Sequence, residues 1–234
     1  MCGRYTLTPE QKALQAEFNL SPSPAVHEPR YNIAPSQPAP VVVKEKGRNL
    51  LQMMKWGLVP YWAKDPQIGY KLINARAETI NQKPSFKTPF KKRRCLVLAD
   101  GFYEWTKGPG RQVNIPHRFV LKTGRPFAFA GLWDIWKTPE GETLLSFTII
   151  TTGPNELMKP IHDRMPVILH KEDEDLWLDT SLSDEGKLLE LLRPYDPKEM
   201  KQYEVSVKVN SPRQDGPECI EPANNTEAQK TLLD

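Results

Sequence analysis

The chain has 234 residues, of which 38% are hydrophobic and 26% charged, as in a globular protein with one sizeable core. A formal net charge of +3 permits an acidic partner such as nucleic acid without requiring one. The sequence shows no apolar run of membrane-spanning length and no hydrophobic leader at its start, so we expect a cytoplasmic protein with no membrane partner.

The cysteines argue against both disulfides and a zinc site. Cys2, Cys95 and Cys219 lie far apart without CxxC spacing, and the chain has only four histidines. This pattern predicts free thiols. We therefore expect no metal and no cofactor.

In chain order, the first element predicted is a short helix. Thr8 can cap it, Pro9 fits the first helical position and Gln11 stands where a capping-box partner would. The sequence predicts that this helix ends at about Phe18.

Residues 21–40 are rich in proline and predict an ordered loop. The apolar runs 41–43 and 51–56 flank the turn signal Lys46-Gly47 and predict a hairpin. Further strands, separated mostly by glycine and proline, are predicted at 95–99, 103–106, 117–121, 127–132, 144–151, 167–169 and 203–209.

Helical patterns return at 172–178 and 183–192. Many short strands with few helices favour an α+β fold. We expect one β-rich domain over residues 2–221, a barrel-like sheet with peripheral helices, and a polar C-terminal tail over residues 222–234.

Cys2 carries the most informative chemistry. A small second residue allows an aminopeptidase to remove Met1, which leaves an α-amine and a thiol on one residue. An α-amine has a pKa near 7.7–8.0, so it can attack an aldehyde at neutral pH and form an imine. The thiol can then close a durable five-membered thiazolidine. Taken alone, a cysteine at position 2 is more often a chance residue of a frayed terminus.

Six short motifs change that balance. They are Met1-Cys2-Gly3-Arg4-Tyr5, Arg30-Tyr31-Asn32-Ile33-Ala34-Pro35, Trp56-Gly57-Leu58-Val59-Pro60, Ile73-Asn74-Ala75-Arg76-Ala77-Glu78-Thr79, Gly101-Phe102-Tyr103-Glu104-Trp105 and Ile161-His162-Asp163-Arg164-Met165-Pro166. From Cys2 to about Val209, in order and spacing, the chain resembles the SOS response-associated peptidase (SRAP) family. The resemblance implies a β-rich fold that binds single-stranded DNA and an N-terminal cysteine that cross-links to abasic sites. It implies the catalytic residues Cys2, Asn74, Glu104 and His162.

The residues around Asn74 have a second interpretation. Asn74, Arg76 and Glu78 alternate with apolar residues, so an extended segment would place all three on one face, as in any solvated edge strand. With the resemblance, Asn74 orients the Cys2 amine or a sugar hydroxyl, and Arg76 binds phosphate.

Glu104 stands among Phe102, Tyr103 and Trp105, which could desolvate its carboxyl group and raise its pKa toward that of a general acid. The ordinary alternative is a strand glutamate that points to solvent. Beside Cys2, such an acid would protonate the sugar ring oxygen and assist loss of water.

His162 lies in a loop between Pro160 and Pro166 and has the side chain best suited to acid–base work near neutral pH. A lone loop histidine is more often an exposed bystander, and we assign no role to His27, His117 or His170. The resemblance favours His162 as an acid–base group for ring opening and for reversal of the cross-link.

The residues predicted to bind DNA are Arg4, Trp62, Arg76, Thr151 and Arg164. Trp62 is a candidate stacking residue, whereas Trp133, Trp136 and Trp177 are expected to pack in the core or at its edge. The basic run 83–94 is either a DNA contact or a solvated loop and strand start. The resemblance implies a DNA contact by an arginine just before the phenylalanine of this loop. Here Pro84 and Ser85 precede Phe86, so that contact is not carried over to this chain.

Three functions follow as alternatives. The expected one is covalent capture of abasic sites in single-stranded DNA by a monomeric, nucleoid-associated protein of the DNA-damage response. The second is a cysteine peptidase of the N-terminal-nucleophile type, as the family name implies. The third is a DNA-binding module without chemistry.

Overall fold

The computed structural model describes residues 2–107, 114–138 and 140–223. The strands are β1 Tyr5–Leu7, β2 Arg30–Ile33, β3 Pro38–Glu45, β4 Arg48–Trp56, β5 Asn74–Arg76, β6 Arg94–Ala99, β7 Gly101–Lys107, β8 Asn114–Leu121, β9 Phe127–Lys137, β10 Thr143–Thr152, β11 Met165–Pro166 and β12 Met200–Glu204. The α-helices are α1 Gln11–Glu17, α2 Pro84–Lys92, α3 Glu174–Leu178 and α4 Glu185–Glu190. Short 3₁₀ helices include Pro66–Lys71, Ala77–Thr79, Lys171–Asp173 and Val207–Asn210.

Five strands close a barrel. They follow the order β10-β4-β3-β6-β9, and β9 pairs with β10 again, which completes the ring. All these pairs are antiparallel except the parallel pair of β4 and β10. β5 and β11 extend the barrel by pairing with β10. The predicted barrel-like sheet is therefore confirmed.

A second, antiparallel sheet has the order β12-β8-β7-β1-β2. It shares one core with the barrel, because aromatic rings from both sheets interlock. Phe129 of the barrel lies 5.9 Å from the rings of both Tyr5 and Phe102, and Phe102 stacks on Phe119 at 5.1 Å. Helices α2 and α3 pack against the barrel strands β6 and β9, as expected for peripheral helices of a single α+β domain.

Two tight backbone positions shape the barrel. The predicted hairpin of β3 and β4 is confirmed. Its two turn residues, Lys46 and Gly47, have φ values of +49° and +77°, as in a type I′ turn. Gly131 on β9 lies against β6, where an added Cβ would stand 2.7 Å from Val97 and 2.8 Å from the Cys95 sulfur. Strand packing inside the barrel therefore requires glycine at this position.

The start of the first helix was predicted wrongly. α1 begins at Gln11 after Glu10, and no side chain caps it. The Thr8 hydroxyl instead donates to the Asp100 carboxylate at 2.5 Å, and the Gln11 side chain bonds the backbone of residues 25 and 27. Tertiary partners thus replace the local capping box.

Other boundaries also differ from the sequence expectation. The segment 21–40 includes β2 and the start of β3, because its residues pair with β1 and β4. Within the predicted strand 203–209, the sheet ends at Glu204, and Val207–Asn210 form a 3₁₀ helix. Near the predicted strand 167–169, the observed strand is Met165–Pro166, and Ile168 forms an isolated bridge with Phe129. Within the basic run 83–94, residues Pro84–Lys92 form helix α2 rather than a loop.

Pro222, at the start of the predicted tail, pairs with Val205, while residues 224–234 lie outside the described residues. Within the described part of the chain, no helix has both the length and the apolar character needed to cross a membrane.

Candidate active site

Strand pairing places Cys2 beside Glu104. β1 runs antiparallel to β7 with Tyr5 opposite Phe102, and the Tyr103 amide donates to the Arg4 carbonyl at 2.9 Å. The residues before β1 therefore continue along β7 toward Glu104. Cys2 is fully buried there, with its sulfur 4.0 Å from the Arg4 carbonyl oxygen.

Asn74 holds Cys2 from the other side. It begins β5, opposite Ile149, and the Trp56 indole donates to the preceding Ile73 carbonyl at 2.8 Å. The Asn74 amide nitrogen donates to the Cys2 carbonyl oxygen at 2.8 Å. The amide oxygen is buried and accepts no hydrogen bond within the described structure.

The Glu104 carboxyl group is 4% exposed, and burial raises its pKa to about 7, with a smaller contribution from the Asp163 carboxylate. The direction of this shift agrees with the desolvation expected from the sequence. Burial also raises the pKa of the Cys2 thiol, and the Glu104 carboxylate adds to that effect. A neutral carboxyl group and a neutral thiol therefore coexist near neutral pH.

His162 lies in the loop between β10 and β11, and its side chain is 29% exposed. The Arg164 backbone amide donates to Nδ1 at 3.0 Å, so the neutral ring carries its hydrogen on Nε2. Burial lowers the pKa of His162, whereas Asp163, with Oδ1 2.9 Å from Nδ1, opposes this. The neutral imidazole can therefore accept a proton. A proton on Nδ1 would form a hydrogen bond with the Asp163 carboxylate.

Arg164 is held by two partners. Its guanidinium donates to both Glu78 carboxylate oxygens at 2.6 and 2.9 Å, and to the Thr151 carbonyl at 2.6 Å. Thr151 itself is fully buried. Glu78 belongs to the 3₁₀ helix after β5, so the expected extended face ends at Arg76, which is exposed.

Arg4 is anchored in the second sheet. Its Nη1 donates to Asn32 Oδ1 and to the Val209 carbonyl, both at 2.8 Å. Its guanidinium also lies 5.7 Å from the centre of the Trp105 ring. These contacts fix the backbone from which Cys2 extends.

Exposed aromatic side chains lie in the segment that leads to Asn74. Trp62 is 46% exposed, whereas Trp136 and Trp177 are buried as expected. Tyr61 and Tyr70 are 58% and 63% exposed, and the sequence analysis did not single them out. Tyr70 belongs to no motif, and its only sequence signal is an aromatic residue among turn-forming residues.

Three of the six cations in the basic run 83–94 have partners within the fold. Arg94 is 1% exposed and donates to backbone carbonyls, including those of Trp177 and Phe90. Arg93 pairs with the buried Asp134 at 2.5 Å, and Lys91 pairs with Glu185 at 2.8 Å. These three cations therefore have structural partners.

No group of three or more histidine, cysteine, aspartate or glutamate side chains is arranged to hold a metal ion anywhere in residues 2–107, 114–138 and 140–223. The site consists of a thiol, a carboxyl group near its pKa, an imidazole and an amide. The fold and the site thus define a class of barrel proteins with a cysteine at position 2 among acid–base groups.

The comparisons with known proteins give the family. The protein-family model for SOS response associated peptidase (SRAP) matches residues 1–212, so the chain belongs to this family. It is 50% identical over 224 residues to the abasic site processing protein YoqW of Bacillus subtilis (strain 168), covering 94% of this chain and 99% of YoqW. It is 35% identical over 233 residues to the abasic site processing protein HMCES of Rattus norvegicus, covering 84% of this chain and 65% of HMCES.

A solved structure of a protein from Bacteroides thetaiotaomicron is also similar. Its TM-score is 0.85 at 29% sequence identity, and the match covers 95% of this chain and 100% of that one. The whole described body therefore has the fold of a known structure.

Proposed function

We propose that this protein processes abasic sites in DNA, and that it binds single-stranded DNA and captures the abasic aldehyde covalently through Cys2. The observation that carries the proposal is the placement of Cys2 between the Asn74 amide and a Glu104 carboxyl group with a pKa of about 7. The family and the names of YoqW and HMCES support the class of substrate.

The chemistry needs no oxidant or metal. After removal of Met1, the Cys2 α-amine adds to the aldehyde carbon, and the carbinolamine loses water to give an imine. The thiol sulfur then adds to the imine carbon, and the thiol proton goes to the nitrogen. One aldehyde and one aminothiol thus give a thiazolidine and one water molecule.

The neighbouring groups move the protons. Glu104 donates to the sugar ring oxygen during ring opening and to the departing hydroxyl, tasks that suit an acid with a pKa near the working pH. His162, neutral because burial lowers its pKa, accepts a proton during ring opening and returns it when the thiazolidine reopens. Asn74 fixes the Cys2 backbone so that amine and thiol meet the same carbon.

The predicted DNA contacts divide into direct and supporting residues. Arg76 and Trp62 are exposed and would bind phosphate and a base directly. Arg164 would contact phosphate next to His162, and Thr151 holds it there through its carbonyl group. Arg4 would act at the Cys2 end of the strand, where Asn32 keeps it in place.

The peptidase alternative uses the thiol alone. A thiolate would have to attack an amide, yet burial and Glu104 both raise the pKa of the Cys2 thiol. Attack by the amine first, followed by a neutral thiol whose proton moves to nitrogen, fits this environment better.

The test is incubation with an abasic single-stranded oligonucleotide followed by a denaturing gel. We expect a heat-stable protein–DNA band from the protein that has lost Met1, confirmed by intact mass. Cys2→Ala and Cys2→Ser should abolish the band but leave reversible binding intact. A protein that retains Met1 has an amide in place of the amine, so it should form no stable band. Equal bands with and without Met1 would refute the thiazolidine.

A further inference from the structure

The exposed aromatic residues Tyr61, Trp62 and Tyr70 belong to one surface segment, residues 59–71, which we call the aromatic arm. Val59 donates through its backbone amide to the Ser146 hydroxyl at 2.8 Å, and Tyr61 to the Asp134 carboxylate at 3.0 Å. The Trp136 indole donates to the Ala63 carbonyl at 2.7 Å. All three barrel side chains are buried. The arm is therefore ordered although its aromatic side chains face solvent.

The C-terminal half of the arm packs against its N-terminal half. Ile68 packs with Val59 and Ala63 in a small apolar cluster. Gly57 and Gly69 touch through their backbones, so that a Cβ added to Gly69 would lie 2.8 Å from the Gly57 carbonyl oxygen. Such contact is possible only without side chains, and it fixes the position of the next residue, Tyr70.

Tyr70 presents an aromatic ring to solvent with a cation behind it. The side chain is 63% exposed, and the Lys55 ammonium lies 5.7 Å from the ring centre, over one face. The opposite face can receive another ring. A cation held against a phenol ring is also placed to meet a phosphate of the same ligand.

The surrounding charge suits a polyanion. Lys64, Lys71 and Arg76 are exposed along the chain from the arm to β5. Asp65 is the acidic residue within the arm, and its carboxylate is used to cap the 3₁₀ helix by accepting from the Gln67 amide. Positive charge therefore predominates along this stretch of the chain, and Lys55 adds a cation at the Tyr70 ring.

The arm leads directly to the reactive cysteine. The Leu58 amide donates to the Leu72 carbonyl at 3.1 Å, and two residues later Asn74 donates to Cys2. Four residues of chain span at most about 14 Å, so Tyr70 lies within a few nucleotides of the aldehyde carbon.

We infer that Tyr70, backed by Lys55, is a base-stacking position for a nucleotide adjacent to the abasic site. The inference rests on the proposed function, since the strand is placed by its abasic sugar at Cys2. It assigns to the arm a role in holding the flanking single strand, and it makes unpaired bases the preferred neighbours of the lesion.

The test measures reversible binding by fluorescence anisotropy in a Cys2→Ala background, with abasic oligonucleotides extended on only one side of the lesion. Base–aromatic stacking accounts for about 1–3 kcal/mol per base, so Tyr70→Ala should weaken binding about fivefold or more. Because Tyr70 lies on one side of Cys2, the loss should occur with only one of the two extensions. Tyr70→Phe should restore binding, and Lys55→Gln should reduce the salt dependence.

The matched control is Leu176→Ala, which removes a 39% exposed apolar side chain on α3 and should not affect binding. Unchanged affinity in Tyr70→Ala, or equal losses with both extensions, would overturn the stacking assignment. The cross-link of the protein with intact Cys2, measured at saturating DNA, tests the proposed function separately. It should reach the same final yield with and without Tyr70.

Discussion

The Asn74 side-chain amide donates a 2.8 Å hydrogen bond to the backbone carbonyl of Cys2, across 72 residues of sequence. The bond joins the edge of the barrel to the segment that precedes the second sheet. In the proposed capture of the aldehyde, this bond fixes the residue whose amine and thiol must reach one carbon atom, so the reactivity of Cys2 would depend on a side chain from another sheet.

Removal of this bond should slow the chemistry more than it affects the fold. Asn74→Ala should lower the cross-linking rate at saturating abasic DNA about tenfold, as expected for loss of one positioning hydrogen bond. Asn74→Asp should be slower still, since a carboxylate cannot donate to the carbonyl. The control is Asn81→Ala, which removes a hydrogen bond to Glu185. Equal rates in all variants would show that Asn74 has no positioning role.

The raised pKa of Glu104 predicts a bell-shaped pH dependence of the cross-linking rate. The rate should rise as the Cys2 amine loses its proton and fall as Glu104 loses its own, around pH 7. Glu104→Gln should lower the maximum by about 10²-fold or more and remove the alkaline decline. Single-turnover rates across this range provide the measurement. An alkaline decline that persists in Glu104→Gln would assign it to another group.

The same carboxyl group should make stability depend on pH. Between its ordinary pKa near 4.5 and about 7, folded Glu104 keeps a proton that the unfolded chain has released. The free energy of unfolding therefore decreases as pH rises through this window, by at most about 3 kcal/mol. Glu104→Gln should remove this decrease, so that above pH 7 the free energy of unfolding of the variant rises relative to that of the wild type. Thermal melts with identical pH dependence would contradict the shift.

Substitutions at Arg76 and Glu78 should change the affinity for DNA in opposite directions. Arg76 is exposed, and its loss should reduce the slope of log K against log salt by about 0.7 for a single strand. Glu78 neutralises Arg164 through two hydrogen bonds, so Glu78→Gln should strengthen binding and steepen the slope. Filter binding of undamaged oligonucleotides at several salt concentrations measures both. A weaker complex with Glu78→Gln would mean that Arg164 needs its carboxylate partner to engage DNA.

Arg93 should matter for stability rather than for phosphate binding. Arg93→Ala leaves the buried Asp134 without its ionic partner and should lower the free energy of unfolding by about 2 kcal/mol, as for loss of one hydrogen bond to a charged group. Its salt slope should match that of the wild type. Lys87→Ala, an exposed change on α2, should leave stability unaltered. An Arg93→Ala protein with normal stability and a slope reduced by about 0.7 would identify Arg93 as a DNA ligand.

Local chemistry in the sequence determined much of this protein. The turn at Lys46-Gly47 and the apolar runs of the long strands have short-range causes, so the hairpin and most barrel strands could be predicted. The six motifs carried the resemblance to the family, and that resemblance, rather than residue type alone, made Cys2, Asn74, Glu104 and His162 the predicted catalytic residues.

Only the tertiary structure decided which polar residues have partners. Thr8 bonds Asp100 instead of capping a helix, and Arg93 bonds Asp134 instead of facing solvent. Closure of the barrel through β9 and β10, and the arm that exposes Tyr70, depend on contacts between distant segments. Such contacts outweigh local propensity because burial makes an unpaired polar group far more costly than an altered helix end.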